Sequence, residues 1–242
     1  MIYDSEINNI NNVNKLLDMN IVDCYLKALQ KAEENATNGG IKMDKARFVQ
    51  LFNSEQVRLV RYILDKKNES DIRSIQKLVV YSKNLNKRND LDNPESSLFD
   101  LPDDFFDFAN ISGVFSMGEC STSDFNMWEV KNENVHELLA DEFNCPSYNY
   151  RDTFYTIGED SVRVYKKNFT VDKVFLTYYR YPSNVDIEGY IKSDGSGSSN
   201  IDPELDDKLV DIILNMIEKQ FALNESEYGR YQLDSNNVIS PL

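Results

Sequence analysis

VFLTYYRYP, residues 174–182, places three tyrosines and one arginine within nine positions. Two readings compete. Exposed aromatics beside a basic groove form a platform for stacked nucleic-acid bases. Aromatics alternating along a strand form a layer of a sheet, or a surface that meets another protein. Alternation puts Val174, Leu176 and Tyr178 on one face and Phe175, Thr177 and Tyr179 on the other. Both faces carry bulk, which predicts a strand inside a sheet or at a subunit contact. Only Lys173 and Arg180 are basic here, and the whole chain carries a formal charge of −15, which repels phosphate. The stretch therefore reads as a sheet strand facing protein. Tyr178, Tyr179, Arg180 and Tyr181 are its candidate interface residues.

More strands precede it. Phe154–Ile157 and Val162–Tyr165 flank the turn-like IGED and predict a hairpin. LFDLP (98–102) predicts a short strand ended by proline. FDFANISGVFSM (106–117) predicts a strand with a break near Gly113, and FNMWEV (125–130) predicts another. Between them NENVHELLADEF (132–143) predicts a short helix capped by Asn132 or Asn134. Residues 82–97 are polar, contain Asn93–Pro94, and read as a loop.

Helices flank the strands. Ile21, Val22, Tyr25, Leu26, Leu29 and Ala32 recur at spacings of three and four, and ATNGG (36–40) ends the pattern. Ile7, Ile10, Val13, Leu16 and Leu17 keep a similar rhythm, weakened by asparagines. Phe48, Leu51, Phe52, Val57, Leu59, Val60, Ile63 and Leu64 mark a stronger helix from about Asp44 to Lys66. Residues 70–79 fit a third helix, although KLVVY reads equally well as a strand. IKSDGSGSSN (191–200) has the composition of a flexible loop. It leads into a helix for which Asp202 is a good N-cap and Pro203 a good first residue.

The order of helices, strands and helix predicts an α+β fold, with terminal helices forming a bundle and a β-rich segment inserted between them. The expected regions are an N-terminal helical region (1–81), a polar loop (82–97), a β-rich region with one short helix (98–200), a C-terminal helix packing on the N-terminal helices (201–224), and a tail (225–242). The tail is polar, but Tyr231, Val238, Ile239 and Leu242 are spaced along it as anchors. VIS (238–240) suits addition as a strand to a neighbour's sheet edge.

Composition narrows the function. A sequence pI of about 4.5 disfavours nucleic acid and anionic lipid as specific partners. Cys24, Cys120 and Cys145 are odd in number and far apart, which predicts buried, reduced thiols and no disulfide framework. No leader and no apolar run near the length of a span is read, so no membrane partner is expected.

No chemistry is legible. His136 is the one histidine, and Ala140 stands where HExxH needs its second. GVFSMG (113–118) has the wrong spacing for a nucleophile elbow. Asp103–Asp104, Asp141–Glu142 and Asp206–Asp207 are pairs that 41 acidic residues produce by chance. Gly195 and Gly197 precede a helix, but no GK[ST] follows and acidic neighbours repel phosphate. Asp194, Ser196, Ser198, Asn200 and Asp202 alternate like calcium ligands without EF-hand spacing. Catalytic, cofactor-binding and metal residues are all expected to be none.

One resemblance stands on an ordered set of segments. LPDDFF (101–106), Cys120, the NVHELL helix, NCPSYNYRDTFYTI (144–157), VRVYKKNF (162–169), VFLTYYRYPSNVDIEGYI (174–191), Asp194–Gly195 and IDPELDDKLVDIIL (201–214) follow one another in this order. Over about residues 43–237 the chain resembles the head–tail connector ring proteins of tailed bacteriophages. Within them it is most similar to the adaptor ring on the portal of crAss-like phages. The resemblance implies a non-enzymatic virion protein of the neck, assembled in the bacterial cytoplasm. It implies a homo-oligomeric ring of about a dozen copies. The portal protein lies above, further ring or tail proteins lie below, and DNA passes through the channel without specific binding. It offers no catalytic residue to carry over. The rival reading is a soluble, non-enzymatic protein-binding module, host-directed or regulatory. An enzyme of unknown type is a third.

Overall fold

The structure, a computed structural model, describes residues 19–35, 43–67, 69–88 and 94–220. The fold is mixed α+β. Its helices are α1 (Ile21–Asn35), α2 (Lys45–Lys66), α3 (Glu69–Ser74), α4 (Val135–Ala140) and α5 (207–220). The expected helix over 7–17 and the tail 225–242 lie outside the described residues. The chain divides into two units, one helical (residues up to Lys77 and from Pro182 onward) and one β-rich (Leu78–Tyr181).

In the helical unit, α2 forms where the apolar stripe predicts it. Asp44 caps its start by accepting from the Arg47 N–H at 2.7 Å. Lys67 ends it in the left-handed region, with its N–H bonded to the carbonyls of Ile63 and Leu64. The start of α1 is closed twice. Asn20 accepts from the Asp23 N–H at 2.9 Å and donates to the Asp23 carboxylate at 2.7 Å. Asp202 accepts from the Ile21 N–H and Asp207 from the Met19 N–H, each at 2.9 Å. Asp202 therefore caps α1 and not its own following segment. Helix α5 starts four residues later than expected from Pro203, with the Asp206 carbonyl accepting from the Val210 N–H at 3.0 Å.

Further along, Lys27 pairs with Asp211, and Lys31 meets Asn215 and Glu218. The paired positions rise together in both helices, so α1 and α5 run parallel. Their aligned dipoles repel, and the acidic side chains at the shared N-terminal end oppose that repulsion.

Residues 182–202 form a strap of the same unit, not the end of the β-rich region. Asn53 on α2 accepts from the Val185 N–H at 2.8 Å and donates to its carbonyl at 3.1 Å. Gln56 donates to the Ser183 carbonyl at 3.1 Å. The strap closes on itself where Asp186 and Ile201 exchange backbone bonds. Its inner part, expected to be a flexible linker, is held by Ser198. That hydroxyl accepts from the N–H groups of Gly189 and Tyr190 and donates to the Tyr190 carbonyl.

The β-rich unit holds two sheets. One has strand order β1 (Val79–Asn84), β9 (Thr170–Arg180), β4 (Phe105–Met117), β5 (Cys120–Thr122). The other runs β2 (Lys87–Arg88), β3 (Ser96–Asp100), β8 (Ser161–Tyr165), β7 (Asp152–Ile157), β6 (Asn126–Glu129). The deciding stretch is therefore internal, with antiparallel neighbours on both sides. Val174, Leu176 and Tyr178, which the alternation puts on one face, are buried in one cluster with Phe99, Phe115, Tyr155, Val162 and Val164.

Several expectations shift. KLVVY resolves into a turn of 3₁₀ helix and then strand β1. The loop at 82–97 contributes the end of β1, all of β2 and the start of β3. β4 continues through Gly113, where an added Cβ would lie 2.7 Å from the Phe115 ring. The pairing shift with β9 comes just after, between Val114 and Phe115. Neither Asn132 nor Asn134 makes a side-chain cap, because Asn134 is itself helical in backbone and leads directly into α4.

Candidate functional site

The predicted interface residues separate across β9. Tyr178 faces inward, 1% exposed. Its hydroxyl donates to Asp104 at 2.8 Å and its ring lies 5.8 Å from Phe105. Burial, followed by the bond to Asp104, pushes the phenol up to about 12. It is a core residue and offers nothing to a partner.

Tyr179 sits on the opposite face, half-buried, paired with Val79 of β1 on one side and Asp107 of β4 on the other. Burial raises its pKa, and the nearby Tyr81 and Asp107 raise it further. Tyr81 is 68% exposed. Tyr181 is 44% exposed and meets the Phe106 ring edge-on at 4.7 Å. Its N–H bonds to the Asp104 carbonyl, which fixes the strand end and therefore the ring. Arg180 is half-buried and donates to the Tyr181 carbonyl at 3.1 Å. Tyr231, Val238, Ile239 and Leu242 lie outside the described residues.

The result is an aromatic sheet face of Tyr81, Phe106, Tyr179 and Tyr181. Sequence reasoning missed Tyr81 and Phe106. Tyr81 lay in a stretch that fitted helix and strand equally. Phe106 reaches this face through the pairing shift between Phe105 and Asp107. Asp107, exposed and paired across the strands with Tyr179, puts a carboxylate beside the face. Nucleic-acid stacking surfaces need the opposite sign. Tyrosines presented on a paired, pre-ordered sheet are the anchors that protein interfaces use.

The other candidate residues differ in their surroundings. His136 is exposed. Cys24 is buried, and burial pushes its thiol up to about 12. Cys120 is exposed and Cys145 half-buried, so the expectation of uniformly buried thiols fails at both. The alternating calcium-like set is dispersed by its bonds. Asp194 accepts from Ser196, Asn200 from the Glu188 N–H, and Asp202 from Ile21. Among the described residues no three His, Cys, Asp or Glu side chains gather to hold a metal ion, and no helix is long and apolar enough to cross a membrane.

Compared with known proteins, the chain matches no protein-family model and no curated sequence.

Proposed function

We propose that the chain is a structural subunit of a connector ring in a virion neck. Copies form a homo-oligomeric ring between the capsid portal and the tail. The ring lines the channel, retains packaged DNA and passes it on ejection. The observation that carries this reading is the aromatic sheet face with the Asp107 carboxylate beside it, which suits another protein surface better than phosphate. The ordered segments that resemble the connector proteins supply the particular setting. The tail residues Tyr231, Val238, Ile239 and Leu242 grip the portal or the next subunit.

Light scattering of the chain mixed with its portal tests the reading. A portal-bound ring is expected from the native chain. Tyr179→Ala is expected to reduce its yield at least tenfold while leaving the far-ultraviolet circular dichroism unchanged, since buried aromatic anchors dominate interface energy. A native chain that stays monomeric beside the portal would favour the stand-alone binding module.

The electrostatic side has its own check. In a gel-shift assay at about 150 mM salt the protein is expected to leave duplex DNA unbound, because its net field opposes the phosphate charge. Tight, salt-sensitive retardation would revive a nucleic-acid role.

A further inference from the structure

Two turns of the β-rich unit enclose an open pocket of about 270 Å³. One turn joins β4 to β5, with Gly118 at φ 64°. The other, residues 166–169, carries the chain from β8 in one sheet to β9 in the other. Lys166, Lys167, Asn168 and Thr170 line the pocket together with Ser116 and Gly118. Among the described residues no carboxylate lines it, in a chain with 41 acidic residues against 26 basic ones. Its two ammonium groups are not neutralised. Lys167 Nζ donates to Cys145 Sγ at 3.4 Å, and a thiol is a weak acceptor that positions the ammonium and leaves its charge unmet. Neither lysine forms an ion pair among the described residues. Lys87 adds to the positive charge: burial lowers its pKa first, and repulsion from Lys166 lowers it further. Asp172 acts on Lys87 in the opposite sense and accepts from the Ser116 hydroxyl at 3.0 Å. The backbone frame is set in advance. Phe169 is buried against Phe115 and Phe125, the Lys166 N–H bonds the Glu95 carbonyl at 2.7 Å, and Ser116 pairs with Thr170 across the strands. A frame ordered before binding lowers the entropy cost when a ligand arrives.

We propose that this pocket binds a phosphate dianion, free or as the terminal monoester of a small molecule. Two lysines match its two charges. Lysine meets phosphate as a point charge, whereas a carboxylate is better met by the arginine fork, and among the described residues no arginine lines the pocket. The Asn168 amide and the Thr170 hydroxyl supply further donors. The net field of the chain opposes anions at long range, so the attraction has to be local, and this pocket concentrates it. Its volume suits one phosphate group with its waters and not the flank of a duplex. The site goes beyond the connector reading and does not depend on it.

Heteronuclear NMR of the full chain, titrated with inorganic phosphate at fixed ionic strength and above the second phosphate ionisation, tests it. Amides of residues 116–118 and 166–170 are expected to shift together and to saturate. Lys166→Gln and Lys167→Gln should each weaken binding about tenfold, the loss of one charge-assisted contact. Lys208→Gln, at an exposed site on α5, should leave it unchanged. Glycerol phosphate is titrated in parallel. Tighter binding than inorganic phosphate assigns the site to monoesters, and equal or weaker binding assigns it to the free ion. Shifts that stay linear throughout overturn the proposal. So do shifts that survive both lysine substitutions, or that chloride at the same ionic strength reproduces.

Discussion

Asp186→Ala is expected to destabilise the helical unit by about 1–3 kcal/mol, read as a fall in the denaturation midpoint. Asp186 is 3% exposed, and four donors converge on it. The Ile187 N–H and the Tyr190 hydroxyl bond one carboxylate oxygen at 2.9 and 2.8 Å. The Ser199 N–H and Lys192 Nζ bond the other at 3.1 and 2.8 Å. Alanine leaves the buried Ile187 N–H without its acceptor, and an unmet buried donor costs more than a made bond gains. The damage reaches further than the strap, because Asp202 at its end closes the first turn of α1. Burial alone would raise the Asp186 carboxyl, but the bonds from Lys192, Ser199, Tyr190 and Ile187 outweigh it and hold the group down at about 2. An unfolded aspartate titrates near ~3.9. The stabilisation is therefore complete above that value and is lost as the pH falls through about 2. Asp186→Asn should be less stable at neutral pH but show a flatter acid limb between roughly pH 4 and 2. Identical acid limbs in native and variant chains would refute the assignment of that limb to Asp186.

Phe115→Ala is expected to cost the β-rich unit about 3–5 kcal/mol, and Phe115→Leu distinctly less. Phe115 is fully buried on β4. Its ring stacks on Phe125 at 4.1 Å and meets Phe169 edge-on at 5.7 Å, while Phe125 in turn meets Tyr148. Removing the ring withdraws the member on which the others pack and leaves a cavity that sheets pinned on both sides cannot close. Far-ultraviolet circular dichroism during urea titration gives the midpoint. A loss below about 1 kcal/mol would mean that the cluster repacks freely.

Much of this architecture was legible because it follows from short-range periodicity. The stripe of α2, the alternation of β9 and the hairpin of β7 and β8 each follow from neighbours in the chain. What was not legible depends on partners distant in sequence. Asn53 and Gln56 are polar residues on an otherwise apolar helix face, and nothing local shows that they anchor Ser183 and Val185. Asp202 followed by Pro203 has the form of a helix start, yet its carboxylate closes a different helix. The glycine- and serine-rich 191–200 stretch reads as a linker because composition measures chain entropy and not the donors that Asp186 gathers. At the candidate site the tyrosine strand and its internal position were legible. Alternation alone could not say which face meets a partner, since both carry bulk. The cross-strand neighbours decided that Tyr178 belongs to the core and Tyr179 to the open face.

The parallel seam between α1 and α5 sets an order on biosynthesis. The carboxylates that close the first turn of α1 belong to residues 202 and 207, about 180 positions downstream. A nascent chain emerges from the ribosome N-terminus first, so α1 waits uncapped and without its α5 neighbour through most of translation. The β-rich unit, 78–181, is contiguous and has all its strands outside the exit tunnel well before Asp202 appears. The β-rich unit therefore completes first and the helical unit last, from its two ends. Isolated helices of this length are marginal in water, so the waiting segment exposes Ile21, Cys24 and Ala28 until α5 has emerged. That interval, and not the finished fold, is when the chain is most open to chaperones and to aggregation.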